Sequence, residues 1–225
     1  MHLAFDVYGT LIDTSGVTNA LTALVGDHAP AFAQMWREKQ LEYSFRRALM
    51  QNYVPFSVCT SQALTYTAQS FKIALQPEQR QTLLDLYRVL PAFPDALAGL
   101  EALQKLPVHL HAFSNGQPDD LESLLRHAGI RHYFASVVSL YAVRTYKPNP
   151  AAYAYFHRAV ESNGAECWLI SSNPFDVIGA LSAGMQAIWL KRSANAIFDP
   201  WEFVPTAEVS DLREVVRIME GVTST

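Results

Sequence analysis

Short apolar runs that end in polar turns alternate with segments of helical periodicity along most of the chain. The apolar runs are predicted as strands over residues 3–8, 108–113, 136–140, 167–170 and 186–190. Helices are predicted over 95–105, 118–128, 150–162, 176–183 and about 210–219, and residues 192–208 are predicted as loop. Strands alternating with helices indicate a mainly parallel sheet covered on both faces. The fold class is therefore α/β, with a Rossmann-like parallel-sheet core.

A second pattern occupies the stretch from residue 15 to residue 90, where helical periodicity is continuous and no strand is predicted. The helices are predicted over 17–25, 31–50, 57–75 and 77–89. Pro30 suits the first turn of the second helix, because an N–H at that place would have no partner. We therefore expect a core domain of residues 1–14 and 91–225 and an inserted all-helical cap domain of residues 15–90.

Composition narrows the class of protein. The chain has 225 residues, of which 50% are hydrophobic and 17% charged, as is typical of a folded globular protein. A net charge of −4 without any basic run argues against nucleic acid and membrane surfaces as partners. No apolar run approaches the roughly 18 residues of a membrane span, and no export signal is evident, so we expect a cytoplasmic protein. Cys59 and Cys167 are expected as buried thiols in a reducing compartment.

Three of the predicted strands end in polar turns. Asp6 follows the first strand, Ser114-Asn115 the second, and Ser171-Ser172-Asn173 the fourth. The carboxyl ends of parallel strands share one edge of the sheet, so these turns should meet, with Lys147 and Asp176 near the same edge. Any one turn could be a helix cap. The convergence of two acids, a lysine, hydroxyls and amides instead indicates a catalytic crevice.

These stretches resemble the motifs of a known superfamily. Residues Phe5 to Leu11 resemble the nucleophile motif of the haloacid dehalogenase superfamily. Residues 113–116, 146–148 and 171–176 resemble its second, third and fourth motifs. Residues 37–43 of the helical insert are similar to the cap helix of L-2-haloacid dehalogenases, and the motifs keep the family's order over nearly the whole chain.

The superfamily's phosphatases differ at two positions. They carry a second Asp two residues after the nucleophile and an acid four residues before the last Asp, where this chain has Tyr8 and Ser172. Asp6 and Asp176 beside Lys147 make a poor Mg²⁺ site, since the dication prefers several oxygen anions or waters. The resemblance therefore implies a reaction at carbon without metal or cofactor.

The resemblance also implies a mechanism. Asp6 would displace halide from C2 of an (S)-2-haloacid, and water would hydrolyse the resulting ester to the (R)-2-hydroxy acid. Lys147 would keep Asp6 ionised, and Asp176 would orient Lys147 or activate the water. Further roles implied by the family are a halide cradle of Arg37 and Asn115, a carboxylate contact at Ser114, supporting positions at Thr10, Ser171, Asn173 and Tyr153, and an apolar wall of Tyr8, Leu41, Phe56 and Phe175.

Two residues depart from the family pattern, and several alternative functions stay open. Phe175 stands where relatives often carry Trp, and Glu38 stands beside Arg37 where Gln is familiar. A carboxylate there could pair with Arg37 or repel an anionic substrate. The alternatives are hydrolysis of another carbon–heteroatom bond (fluoroacetate or a small cyclic amino acid), an altered phosphatase, and a non-catalytic carboxylate binder. The family also suggests a homodimer. His109 and His111 are expected to be structural.

Overall fold

The computed structural model describes residues 1–224, and within that range the strands form one six-stranded sheet. The strands are β1 His2–Phe5, β2 His109–Ser114, β3 Ser136–Ser139, β4 Cys167–Ser171, β5 Gln186–Leu190 and β6 Ala207–Val209. Their order is β3-β2-β1-β4-β5-β6, and all neighbouring strands are parallel. The predicted α/β class with a parallel sheet is confirmed, and the central β1 brings its carboxyl end between those of β2 and β4.

Helices cover both faces of the sheet. Successive side chains of a strand point to opposite faces, and apolar side chains lie on both faces here. Leu3 and Phe5 pack into one hydrophobic cluster, and Ala4 packs into another on the opposite face. Five helices lie against the sheet: α5 Ala96–Leu103, α6 Pro118–His127, α7 Pro150–Ala159, α8 Pro174–Ser182 and α9 Leu212–Thr223. The first cluster includes residues of α5, α6 and α9, and the second includes residues of α7 and α8.

Between β1 and α5 the chain forms four more α-helices. They are α1 Ser15–Val25, α2 Ala29–Leu49, α3 Phe56–Ser70 and α4 Pro77–Asp85. The fully buried Trp36 fastens α2 to α3, because its Nε1 donates to the carbonyl of Thr60 at 2.9 Å. The outgoing segment, residues 10–13, leads from the sheet to these helices, and the returning segment, residues 91–95, leads back. The two segments are paired, since Asp13 N donates to Pro91 O and Phe93 N donates to Leu11 O, both at 2.8 Å. The division into core and cap domains remains a prediction.

Several predicted boundaries are corrected. The first strand ends at Phe5, not at residue 8, because the chain turns at Gly9, whose φ of +79° few other residues adopt. The helix predicted over 57–75 ends at Ser70, and α8 begins at Pro174, so Asp176 lies inside its first turn. The predicted loop 192–208 contains the start of β6, a three-residue edge strand too short to produce a pattern.

Both cysteines are buried and unbridged, as the sequence predicted. Over residues 1–224, no helix is both long and apolar enough to cross a lipid bilayer.

Three histidine side chains stack at the edge of the sheet opposite to the polar turns. His111 is 5% exposed, and its two ring nitrogens lie 3.1 Å from His2 Nδ1 and 2.7 Å from Ser136 Oγ. The rings of His2 and His109 are stacked at 5.2 Å. Burial, together with the neighbouring His2 and His109, lowers the pKa of His111 to about 4. The buried His111 is therefore neutral in the folded protein at mildly acidic pH.

This depressed pKa predicts a loss of stability in acid. The unfolded chain takes up a proton at His111 below pH 6.5, whereas the folded chain does so only near pH 4. The free energy of unfolding should therefore fall as the pH falls through this window, by up to about 1.4 kcal/mol per pH unit from this group. Urea unfolding of His111→Gln against wild type from pH 7 to pH 4 measures the difference. The exposed His127→Gln variant is the control, and equal slopes for wild type and His111→Gln would refute the assignment.

Candidate active site

Asp6 lies directly after β1, and donors approach both oxygens of its carboxylate. The turn at Gly9 brings Thr10 back toward Asp6, so that Thr10 Oγ1 donates to Asp6 Oδ2 at 2.8 Å. Asn173 Nδ2, in the turn after β4, donates to the same oxygen at 2.8 Å. The side chain of Asp6 keeps 12% of its surface exposed. The carboxylate is therefore oriented by fixed donors and still partly accessible, as a nucleophile must be.

Lys147 supplies the charge that faces this carboxylate. Its Nζ donates to Asp6 Oδ1 at 3.2 Å, to Asp176 Oδ2 at 2.7 Å and to the carbonyl of Phe113 at 2.9 Å, which uses all three protons. Burial disfavours the charged ammonium, but the carboxylates of Asp176 and Asp6 outweigh it and raise the pKa of Lys147. Lys147 is therefore a permanent cation held between two carboxylates.

Asp176 is the more deeply buried of the two acids. Lys147 holds its Oδ2, and the hydroxyl of Tyr153 donates to its Oδ1 at 2.8 Å. Burial raises the pKa of Asp176, Lys147 opposes that shift, and Asp6 adds to it. Gly179 makes room for Tyr153, because a Cβ at residue 179 would overlap the Tyr153 hydroxyl oxygen. Nothing in the sequence pattern pointed to Gly179.

Three further predicted residues stabilise the turns themselves. Asn115 Oδ1 accepts from Lys147 N at 3.0 Å, which leaves its Nδ2 as the group that can donate. Ser114 Oγ accepts from Gly116 N at 3.2 Å, and Ser171 Oγ accepts from Asn173 N at 3.1 Å. Both serines are buried. Their contacts fix the turns that present Asn115 and Asn173, and their predicted roles toward substrate stay predictions.

Ser172, which stands where the phosphatases carry an acid, joins the turns after β1 and β4. Its backbone N–H donates to Thr10 Oγ1 at 2.9 Å, and its hydroxyl donates to the carbonyl of Gly9 at 2.8 Å. In the part of the chain that the structure describes, no group of three or more His, Cys, Asp or Glu side chains is placed to hold a metal ion. The position between the two carboxylates is filled by the Lys147 ammonium.

Arg37 and Leu41 project from α2, and a buried amide holds the arginine. Arg37 Nη1 donates to Gln40 Oε1 at 2.8 Å, and Gln40 Nε2 donates to Thr60 Oγ1 at 2.5 Å. Gln40 is fully buried, which is rare for a glutamine without a specific partner. Sequence reasoning missed it, although its spacing of three residues from Arg37 places both on one helical face.

The predicted apolar wall is contributed by separate elements. The ring of Phe175 packs against Phe45 with centroids 5.0 Å apart, and Phe56 packs against Tyr146 at 5.9 Å. Tyr8 and Phe56 line a cavity of about 170 Å³. Phe45 was not predicted as a wall residue. Its position two helical turns after Arg37 on the same face of α2 was the available signal.

The chain is similar to known proteins over most of its length. A family model described as a haloacid dehalogenase-like hydrolase matches residues 1–184. An (S)-2-haloacid dehalogenase of Pseudomonas sp. (strain YL) is 33% identical over 97% of this chain and 94% of its own length. The chain belongs to the L-2-haloacid dehalogenase family. The resemblance stated from the sequence motifs is thereby confirmed.

One relative is named for a haloacid substrate, and another has been solved with a haloacid covalently bound. A haloacetate dehalogenase H-2 of Moraxella sp. (strain B) is 32% identical over 96% of both chains. The solved structure of L-2-haloacid dehalogenase from Xanthobacter autotrophicus with chloropropionic acid covalently bound superposes with a TM-score of 0.89 at 30% identity, over 98% of both chains.

Glu38 and Phe175, the two residues that depart from the family, each contact a neighbouring side chain. Glu38 is exposed and accepts from Gln34 Nε2 at 2.9 Å, while Arg37 bonds Gln40. Pairing of Glu38 with Arg37, one of the two possibilities raised by the sequence, is therefore wrong. Phe175 makes a ring contact with Phe45 of α2, which joins the helical insert to the first turn of α8.

Proposed function

We propose that this protein hydrolyses (S)-2-haloacids to (R)-2-hydroxy acids through an ester on Asp6. The observation that carries the proposal is the environment of Asp6, a partly accessible carboxylate with Lys147 on one oxygen and Thr10 and Asn173 on the other. A neighbouring cation keeps such a carboxylate ionised. The covalent chloropropionic acid complex of the Xanthobacter relative supports the same chemistry.

The reaction proceeds in two displacements. An oxygen of Asp6 attacks C2 opposite to the halogen, the carbon–halogen bond breaks, and the electron pair leaves with the halide. Attack from the opposite side inverts the configuration at C2 and forms the ester. Water then adds to the carboxyl carbon of Asp6, and the ester bond breaks to release the 2-hydroxy acid. The water oxygen remains in Asp6, and a proton passes to the leaving alkoxide.

We assign Asp176 to orienting Lys147 rather than to activating water. One of its oxygens accepts from Lys147 and the other from Tyr153, and the side chain is only 1% exposed. A general base must reach the proton that it removes, directly or through one water. A buried carboxylate with both oxygens engaged is better placed to position the lysine.

Arg37 and Asn115 are proposed to receive the halide, with residues 15–90 acting as the cap domain that supplies Arg37. A departing anion is stabilised most by donors that are already fixed in place, in a site with little water. The hydrogen bond to Gln40 holds Arg37 on α2, and the hydrogen bond from Lys147 N to Asn115 Oδ1 holds Asn115 in the turn after β2.

Arg37→Lys should lower kcat for (S)-2-chloropropionate by about 100-fold, because a point charge does not replace the planar fork of the guanidinium. Gln40→Met, which removes the side chain that holds Arg37, should lower kcat by about tenfold. Steady-state halide release measures both. The control is Glu38→Gln, which changes the exposed neighbour and should stay near wild type. A wild-type rate for Arg37→Lys removes Arg37 from the halide site.

Halide release from (S)-2-chloropropionate in the presence of EDTA tests the function itself. The proposal predicts turnover of the (S) enantiomer, no turnover of the (R) enantiomer, and a product of (R) configuration. Turnover of p-nitrophenyl phosphate that requires Mg²⁺ would favour the phosphatase alternative. A thermal shift by 2-haloacids without turnover would favour a carboxylate binder.

A haloacetate is a second candidate substrate, because the Moraxella relative is named a haloacetate dehalogenase. The same nucleophile serves both substrates, and they differ only in the substituent at C2. Comparison of kcat/KM for chloroacetate, fluoroacetate and (S)-2-chloropropionate decides between them.

We also propose a cytoplasmic homodimer. The buried free thiols suit a reducing compartment. Leu49 and Met50, at the end of α2, are 83% and 63% exposed, and Tyr66 on α3 is 41% exposed, which suits a surface between subunits. Light scattering after gel filtration should give twice the chain mass, and the Leu49→Lys/Met50→Lys variant should be monomeric. A monomeric wild type rules out the dimer.

A further inference from the structure

One arginine outside the catalytic network contacts the turn that carries Thr10. Arg192 follows β5, and its Nε and Nη2 donate to the carbonyl of Thr10 at 3.0 and 2.7 Å. Its Nη1 donates to both carboxylate oxygens of Asp95, at 2.8 and 2.7 Å. The side chains of Arg192 and Asp95 are only 13% and 10% exposed. One planar guanidinium therefore spans a backbone carbonyl and a carboxylate.

Thr10 is one hydrogen bond away from the nucleophile. Its carbonyl accepts from Arg192, and its side chain donates to Asp6 Oδ2 at 2.8 Å. The same hydroxyl accepts from Ser172 N. A shift of the Thr10 backbone therefore moves the donor that orients Asp6. A misplacement of about 1 Å at a reacting group can cost about 100-fold in rate.

Arg192 also contacts the segment by which the chain returns from the helical insert. Its guanidinium lies over the ring of Phe93 at 4.1 Å, and Phe93 N donates to the carbonyl of Leu11, next to Thr10. Asp95 is itself fixed, because its Oδ2 accepts from Leu212 N at the start of α9 at 2.7 Å. Arg192 thus binds the outgoing segment at Thr10 and the returning segment at Phe93 and Asp95.

From these contacts we propose that Arg192 is a positioning residue, which fixes the nucleophile turn and the two connections to the helical insert relative to each other. The proposal rests on the proposed function for its kinetic consequence, since Asp6 must be the reacting group. Arg192 acts only through Thr10, Phe93 and Asp95 and does not contact the substrate.

A purely stabilising ion pair is the competing explanation. A buried ion pair contributes little net stability compared with well-packed apolar residues, and a stabilising role would require only the Asp95 contact. The second pair of hydrogen bonds, to the Thr10 carbonyl, is the feature that links Arg192 to the site. Lysine at this position keeps the charge and one contact but has no planar fork to span both acceptors.

The test compares Arg192→Lys with Arg213→Lys. Arg213 also makes two hydrogen bonds to one carboxylate, from its Nε and Nη2 to Asp211, but it is 69% exposed and belongs to α9. For Arg192→Lys we expect about tenfold lower kcat on (S)-2-chloropropionate, a KM within about twofold of wild type, and an equal loss in the single-turnover rate of Asp6 alkylation. Arg213→Lys should match wild type.

Amide hydrogen exchange provides a readout independent of the reaction. In Arg192→Lys, peptides covering residues 6–13 and 91–95 should exchange faster, while peptides of α7 and the remaining sheet keep wild-type protection. If Arg192→Lys does not fold, Asp95→Asn, which keeps an acceptor for Arg192, should show the same local change to a smaller degree. Unchanged local exchange overturns the proposal even if the wild type turns over no haloacid. Faster local exchange with unchanged kcat removes the kinetic role.

Discussion

Replacement of Asp6 by Asn is expected to abolish multiple turnover, with kcat on (S)-2-chloropropionate reduced by about 10⁴-fold or more. A neutral amide oxygen is a far weaker nucleophile than a carboxylate. The amide also fits the site poorly, because Lys147, Thr10 and Asn173 all direct donors at the Asp6 oxygens, and an NH₂ group there would face one of them. Steady-state halide release on freshly purified protein measures the effect.

Asp13→Asn is the matched control for this variant. Asp13 lies near the same turn, but its carboxylate accepts from Ser15 N at the start of α1 and does not contact Asp6, so its variant should keep wild-type activity. Intact-protein mass spectrometry before and after the assay checks that the substituted residue of Asp6→Asn has not reverted to aspartate by deamidation. A folded, unreverted Asp6→Asn enzyme with the full rate would exclude Asp6 as the nucleophile.

Lys147→Met should remove activity and also destabilise the fold by about 3–5 kcal/mol at neutral pH. The substitution keeps the volume of the stem but leaves the carboxylates of Asp6 and Asp176 facing each other without the cation that lies within 3.2 Å of both. Because the folded-state pKa of Lys147 is raised, its contribution is fully present at neutral pH and is lost only in strong alkali. Urea unfolding and halide release measure the two effects.

The loss of stability in Lys147→Met should depend on pH, and a second substitution should partly restore the stability. As the pH falls, protonation of Asp176, whose pKa burial already raises, relieves the repulsion, so the gap to wild type should narrow. Lys147→Met/Asp176→Asn should recover a large part of the stability at neutral pH but none of the activity. A double variant as unstable as the single one would show that packing, not charge, holds Lys147 in place.

The acidic and basic residues of the site could be predicted because parallel strands place their polar turns along one edge. Asp6, Asn173 and Asp176 follow strands that the apolar runs identify directly, and the structure brings them to Lys147 within one hydrogen-bonded network. The position of each of these side chains is set by the end of a strand or the start of a helix, and the sequence pattern predicts both.

The supporting residues were not predicted, because each has a partner that is far away in the chain. Gln40 lies three residues from Arg37, but its second partner, Thr60, is on α3. Gly179 matters only because Tyr153 of another helix approaches it, and Arg192 meets Thr10 across the fold. A pattern of hydrophobic and polar positions shows that a residue is buried or exposed but not which distant group it meets. The edge strand β6 was missed for a related reason, since its three residues pair only with β5.

In the proposed mechanism, Asp6 forms an ester with the substrate carbon and is regenerated by attack of water on its own carboxyl carbon. Single turnover with enzyme in excess over (S)-2-chloropropionate in H₂¹⁸O, followed by mass spectrometry of the peptide containing Asp6 and of the product, tests it most directly. We expect ¹⁸O in the Asp6 carboxylate and none in the hydroxyl group of the first product molecules. Label in the product hydroxyl with an unlabelled Asp6 peptide would mean that water attacks C2 directly, and would contradict an ester on Asp6.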